Sequence, residues 1–126
     1  MKYTRIYADS SGESHFEDVE VEIKEVNFAP PAPPVNLSSF NPASQYCFLE
    51  SPAGWYGDWH PTPQRQLFFF LSGEIEIEVS DGEIRQFGPG SITFQEDTVG
   101  KGHASRVLGD NIARMVAVQL PDSEPI

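Results

Sequence analysis

The sequence predicts an all-β chain of short strands, folded as a sandwich or a small barrel. Three observations lead there. Apolar and polar residues alternate with period two along most of the chain, as in "VEVEI" and "EIEIEV". Eleven prolines and ten glycines break the apolar runs at short intervals, and many short strands separated by glycine turns build sandwiches and barrels. No stretch carries apolar residues at helical spacing, so little or no helix is expected.

Taken in order, roughly the first dozen residues lack a partner in the pattern and are expected to be loose or to pack on a neighbour. In "VEVEI", Val19, Val21 and Ile23 share one face. Val26 and Phe28 take the other parity, which predicts a bulge or strand break near Glu25. "FAPPAPPVN" excludes helix and central strand and predicts extended, polyproline-like chain over the surface. "SQYCFLE" reads as a strand, and "GWYGDWHPTP" as extended pieces broken by Gly and Pro. "QLFFFL" and "EIEIEV" are strands joined at Ser72 and Gly73, and Asp81-Gly82 is a hairpin turn signal. "EIRQF", "SITFQ", "GHASRVL" and "IARMVAVQL" complete the set. No repeat or composition shift divides the chain. Residues 1–126 therefore read as one domain, with N-terminal strands and a proline-rich segment (1–44) ahead of a core of about 45–120. The final "PDSEPI" is expected to be a loose end.

Charge narrows the function. Lys plus Arg number 8 against 19 Asp plus Glu, a net charge of -11. Such a field repels phosphate backbones and anionic lipid, which argues against nucleic acid and membrane surfaces as partners. It also disfavours a strongly anionic ligand. Asp18, Glu20, Glu22, Glu74, Glu76 and Glu78 alternate with apolar residues, so the acids read as solvated faces. The single cysteine, Cys47, excludes a disulfide within the chain and reads as a small buried hydrophobe. The start "MKYTRIYADSSG" shows no apolar signal-peptide region, and "LFFFL" is too short to span a bilayer. The expected location is the cytoplasm. "QLFFFL" is apolar on both parities: Phe68 and Phe70 go with Gln66, and Leu67, Phe69 and Leu71 oppose them. A strand apolar on both faces is covered on both, and a homodimer is the expected cover.

The chemistry concentrates in "WHPTPQRQLFFFLSGEIEIEV". Gly54, His60, Thr62, Gln66 and Gly73 follow the spacing G-x5-H-x-H-x3-E-x6-G, with Thr62 at the second histidine and Gln66 at the glutamate. Gly90 opens a second pattern, G-x5-P-x-G-x2-H-x3-N, whose histidine is His103, two residues late, with Val107 at its final asparagine. In these two motifs, over about residues 45–120, the chain resembles the cupin family. The resemblance implies a double-stranded β-helix, or jelly-roll barrel, with a site inside it.

Residues two apart on a strand point to one face. His60 and Thr62 are thus expected to enter the barrel together, Gln66 from the next stretch and His103 from a strand across the cavity. Phe68, Phe70, Ile75 and Ile77 would line it. Trp55, Tyr56 and Trp59 are candidates for a lid, and equally for aromatics closing a barrel end. The resemblance implies a divalent metal, zinc, manganese, nickel or iron, on His60, Gln66 and His103. Two imidazoles and a neutral amide carry no charge to offset a dication, so the metal is expected to be weakly held. Asp58, Glu96 and Asp97 read as turn and rim acids, and His15 as a surface histidine. Tyr46 and Tyr56 are candidate acid partners for a histidine base. Three functions stay open: an enzyme of oxygenase or isomerase type with an atypical metal, a metal-free small-molecule binding module, and a catalytically silent assembly barrel.

Overall fold

The computed structural model describes residues 1–122. They form twelve strands and no α-helix: β1 (Lys2–Ala8), β2 (Ser14–Glu20), β3 (Lys24–Val26), β4 (Val35–Leu37), β5 (Gln45–Ser51), β6 (Tyr56–His60), β7 (Gln66–Ser72), β8 (Glu74–Val79), β9 (Ile84–Phe87), β10 (Ile92–Gln95), β11 (His103–Leu108) and β12 (Ala113–Gln119). A six-stranded sheet runs β2-β1-β10-β7-β12-β5, and a four-stranded sheet runs β6-β11-β8-β9. β3 and β4 make a separate two-stranded ribbon. Neighbours pair antiparallel except β1 and β10, which are parallel. Among the described residues no helix is long and apolar enough to cross a membrane.

The core lies between the two sheets. Ile75, Ile77 and Val79 project inward from β8, while Phe70, Met115, Ile6 and Phe16 meet them from the larger sheet. Each such side chain contributes about 1.5–3 kcal/mol on burial. Glu74, Glu76 and Glu78 fill the opposite face of β8, so its alternation reads directly as inside and outside. Gly73 makes the crossing from β7 in one sheet to β8 in the other. It has φ +76°, and a Cβ there would sit 2.7 Å from the Ala113 backbone. Only glycine fits both conditions.

The larger sheet is different. Its inner face carries Phe68, Phe70, Met115 and Ala117, together with the polar Gln66, Thr93 and Gln95. Its outer face carries two cross-strand rows, Phe48–Val116–Phe69–Ile92 and Tyr46–Val118–Leu67–Phe94, which follow from the registers of β5, β12, β7 and β10. Tyr3 of β1 extends this face, its ring centroid 5.9 Å from that of Phe94. Every one of these residues is exposed or half-buried.

Four expectations need correction. The first dozen residues are not loose: β1 is an internal strand, and its Ile6 is fully buried. β2 ends at Glu20, so the break in "VEVEI" comes before Glu25 and leaves Val21 and Ile23 outside any strand. The proline-rich segment is exposed, as expected, but it is not one extended run. It folds back at a turn in which Ala32 donates to the Ala29 carbonyl at 2.9 Å, and the flanking residues pair as the β3–β4 ribbon. Cys47 is exposed, because β5 is an edge strand with no further strand beyond it among the described residues. Of the expected loose end, residues 123–126 lie outside the described residues.

Candidate functional site

One end of the space between the sheets stays open as a cavity of about 150 Å3. Its walls are apolar, from Phe68, Phe70, Ile75, Ile77, Leu49 and Met115. Its polar groups gather at one side: His60, Thr62, Gln66, Gln95, His103 and Ser105. A concave apolar space with a few converging polar groups is the general form of a small-molecule site.

His60 and His103 are cross-strand partners on the adjacent strands β6 and β11, with ring centroids 5.2 Å apart. His103 therefore comes from beside His60, not from across the cavity. β6 also ends at His60, so Thr62 does not share its strand. Thr62 turns inward for another reason: its backbone N–H donates to the Asp97 carbonyl at 2.9 Å, which anchors the loop after the strand. Gly102 allows the tight approach between the loop before β11 and β6. With φ +72°, it would place a Cβ 1.9 Å from the His60 carbonyl oxygen.

Asp97 is the centre of the polar side and was expected on the rim. It is 0% exposed. One carboxylate oxygen accepts from Thr62 Oγ1 at 2.8 Å, and the other meets His103 Nδ1 at 2.6 Å. Thr62 (1% exposed) and His103 (4%) are equally enclosed. Gln95 Oε1 lies 3.3 Å from the Thr62 hydroxyl. A hydroxyl has one proton, and the shorter, charge-assisted bond to Asp97 takes it. Burying a carboxylate is costly without such bonds, so Thr62 and His103 are what permit Asp97 to be there. A carboxylate only accepts, so His103 Nδ1 donates to Asp97, and Nε2 is the ring nitrogen left without a partner among the described residues. His60 is oriented alike: its Nδ1 meets the Asp58 carbonyl at 2.6 Å.

The loop that carries Asp97 is held from behind by the tip of the β1–β2 hairpin. Lys101 N–H donates to the Gly12 carbonyl at 2.9 Å, and Ser14 Oγ donates to the Gly102 carbonyl at 2.6 Å. His15 stands at the same tip and bridges Asp9 (2.7 Å) and Asp81 (2.8 Å). Hydrogen bonding to Asp9, then to Asp81, raises the His15 pKa above its usual value.

The other predicted residues are distributed as follows. Gln66 lies inside, and its Oε1 is 3.4 Å from Gln119 Nε2. Trp55 lines the cavity mouth, whereas Tyr56 and Trp59 do not line it. Tyr56 lies beneath the Arg106 guanidinium, and Trp59 borders a shallow depression beside Lys101. Tyr46 lies on the outer face of the larger sheet, away from any histidine. Glu96 points outward, paired with Arg5 (2.7 Å) and Arg65 (3.0 Å). Asp58 is exposed.

The donor set fits a tightly held dication poorly. Among the described residues no group of three His, Cys, Asp or Glu side chains is placed to share a metal. Two imidazoles face the cavity, and the carboxylate bonded to one of them, Asp97, has its two oxygens committed to Thr62 and His103. Gln66 and the polar residues beside it are neutral.

No protein-family model and no curated protein matches the chain by sequence. Solved structures match its fold. The cupin domain of Cnp3 from Schizosaccharomyces pombe aligns with a TM-score of 0.54 at 13% identity, over 96% of this chain and 84% of that one. A Cupin 2 conserved barrel domain protein from Salinispora arenicola aligns at 0.52 and 19% identity, over 80% and 76%. The DMSP lyase DddQ from Ruegeria pomeroyi aligns at 0.50 and 23% identity, over 64% of this chain. This chain spans only 40% of the length of that lyase. At these identities the likeness is one of fold.

Proposed function

Starting from the cupin fold that this chain adopts, we propose that its cup binds a small, uncharged or weakly charged organic molecule without a tightly held metal. The observation that carries this reading is the buried Thr62–Asp97–His103 chain at the polar side of an otherwise apolar cavity. The cavity sets the size of the ligand. A void of about 150 Å3 in a protein interior takes a molecule on the scale of benzene. The walls favour a hydrocarbon body, and His103 Nε2 favours a hydrogen-bond donor at one end of it. The same pairing of Asp97 and His103 equips Nε2 to accept a proton from the ligand, because the imidazolium that forms is stabilised by the carboxylate behind it. Proton-transfer chemistry of the isomerase type is thus within reach of these residues. Oxygenase chemistry would need the metal that the donor set does not favour.

Thermal melts with a panel of small organic molecules, run in the presence of chelator, test this reading. A fitting molecule at saturation raises the melting temperature by on the order of 5 °C, and His103→Ala removes the shift. No shift across the panel, or a shift that survives His103→Ala, would overturn the proposal. So would near-stoichiometric zinc, manganese, nickel or iron in protein purified without chelator and lost in the His60→Ala/His103→Ala double variant.

A further inference from the structure

His60 and His103 stand side by side on β6 and β11 and are held in the same way. The Nδ1 of each meets a group that only accepts: the Asp58 carbonyl at 2.6 Å for His60, and the Asp97 carboxylate at 2.6 Å for His103. Each ring therefore donates from Nδ1, and a neutral imidazole that donates from one nitrogen accepts at the other. Neither Nε2 has a partner among the described residues. Both side chains line the cup, and their ring centroids are 5.2 Å apart. The pair thus offers two neighbouring acceptors with no donor. For the buried His103 an unmet acceptor carries a desolvation cost until a ligand supplies the donor.

We infer that the ligand, given the cup binding proposed above, is a primary amine in its ammonium form on a compact hydrocarbon body. Its nitrogen donates one N–H to His103 Nε2 and a second to His60 Nε2. His60 is then the residue that selects an amine over an alcohol.

Donor count, charge and shape each lead to this class. A hydroxyl has one proton and satisfies one imidazole, whereas an ammonium group brings three donors. Two N–H bonds of about 2.9 Å each reach across rings whose centroids are 5.2 Å apart. Among the described residues no Lys, Arg, Asp or Glu lines the cup. The charge closest behind its wall is the buried Asp97 carboxylate, bonded to His103, in a chain of net charge -11. An anionic ligand finds no cation there, and one carboxylate balances a monocation and not a dication. The Asp97–His103 bond also strengthens Nε2 as an acceptor, because hydrogen bonds in a chain polarise one another. Phe68, Phe70, Ile75 and Ile77 receive the hydrocarbon body. Trp55, at the mouth, is the aromatic residue type that attracts a cation most strongly.

Isothermal titration calorimetry on the full chain, with chelator and at neutral pH, tests the assignment. The probes are cyclopentylamine, its isomer N-methylpyrrolidine, and cyclopentanol. Both amines are cations of one size, but the tertiary one has a single N–H. Cyclopentylamine is expected to bind about 10-fold or more tightly than either of the others, the scale of one hydrogen bond to a charged group. His60→Ala is expected to weaken cyclopentylamine by about 10-fold, and cyclopentanol much less, because a single hydroxyl proton can go to His103. His60 is exposed, so the far-UV spectrum of this variant should match the wild type. The comparison of probes needs no variant at all. N-methylpyrrolidine or cyclopentanol binding as tightly as cyclopentylamine overturns the amine assignment and leaves the cup as a small-molecule site. Full affinity for cyclopentylamine in His60→Ala overturns it in the same way. Binding that survives His103→Ala, or no binding by any probe, overturns the reading of the cup and the amine assignment with it.

Discussion

β8 and β10 have the same alternation and opposite meanings. In β8, "EIEIEV", the apolar residues face the core and the acids face out. In β10, "ITFQ", Thr93 and Gln95 are buried and Ile92 and Phe94 are turned outward, and Asp97 continues the buried polar set just past the strand. Period two shows that a strand has two unlike faces. It does not show which face goes in. That depends on what each face meets: β8 borders water on its outer side, while β10 borders a polar cup on its inner side and an apolar sheet surface on its outer side. The inversion of β10 thus delivers polar groups to the cup and Phe94 to the outer face of the sheet with the same strand.

The largest effect that follows from the contrast is on the inner side of β8. Ile77 is 2% exposed and reaches both the core and the cavity wall. Ile77→Ala should cost about 2–5 kcal/mol in a urea unfolding series, the range for deleting a buried aliphatic side chain. A loss below about 1 kcal/mol would mean that the cavity at one end lets the core relax around the gap, and that β8 is less rigid than its pattern suggests.

An opposite sign is expected at the matching position of β10. Thr93 is fully buried, and its Oγ1 has no hydrogen-bond partner among the described residues. A buried, unsatisfied hydroxyl carries a desolvation cost of about 1–3 kcal/mol. Thr93→Val keeps the shape and removes that cost, so it should stabilise the protein by about 1 kcal/mol in the same series. Destabilisation of that size would show that the hydroxyl is satisfied in solution, by water or by a bound molecule. The polar row would then extend functionally from Asp97 to Thr93.

The same contrast shows what could be read from the sequence. Strands from Gln45 onward were legible, because glycine turns and alternation agree there. Phe68, Phe70, Ile75 and Ile77 were legible as cavity lining because their strands put the large apolar residues inside. Asp97 was not. Acids in a glycine-containing loop ordinarily point to water, and nothing in "QEDTVGKG" marks one whose oxygens Thr62 and His103 will satisfy. The available signal was parity: Thr93, Gln95 and Asp97 form one polar set. The placement of β1 was hidden for a related reason. Its partner β10 is about ninety residues away and parallel to it, and no local pattern encodes such a contact. Cys47 misled because burial was inferred from residue type, whereas an edge strand exposes whatever it carries.

The smallest effect lies on the outer side of β8, and it sets the baseline for the rest. Glu76 meets Arg106 Nε at 3.3 Å, and the Arg106 side chain is about half exposed. An exposed pair of this kind contributes about 0–1 kcal/mol. Glu76→Gln should therefore change stability by about 0.5 kcal/mol or less, and the difference should shrink at high salt. The comparison gives this small number its value. If β8 faces water, neutralising an outward acid is nearly silent, and in a chain of net charge -11 relief of repulsion partly offsets the lost pair. A loss well above 1 kcal/mol that persists at high salt would mean that the outer face of β8 is covered.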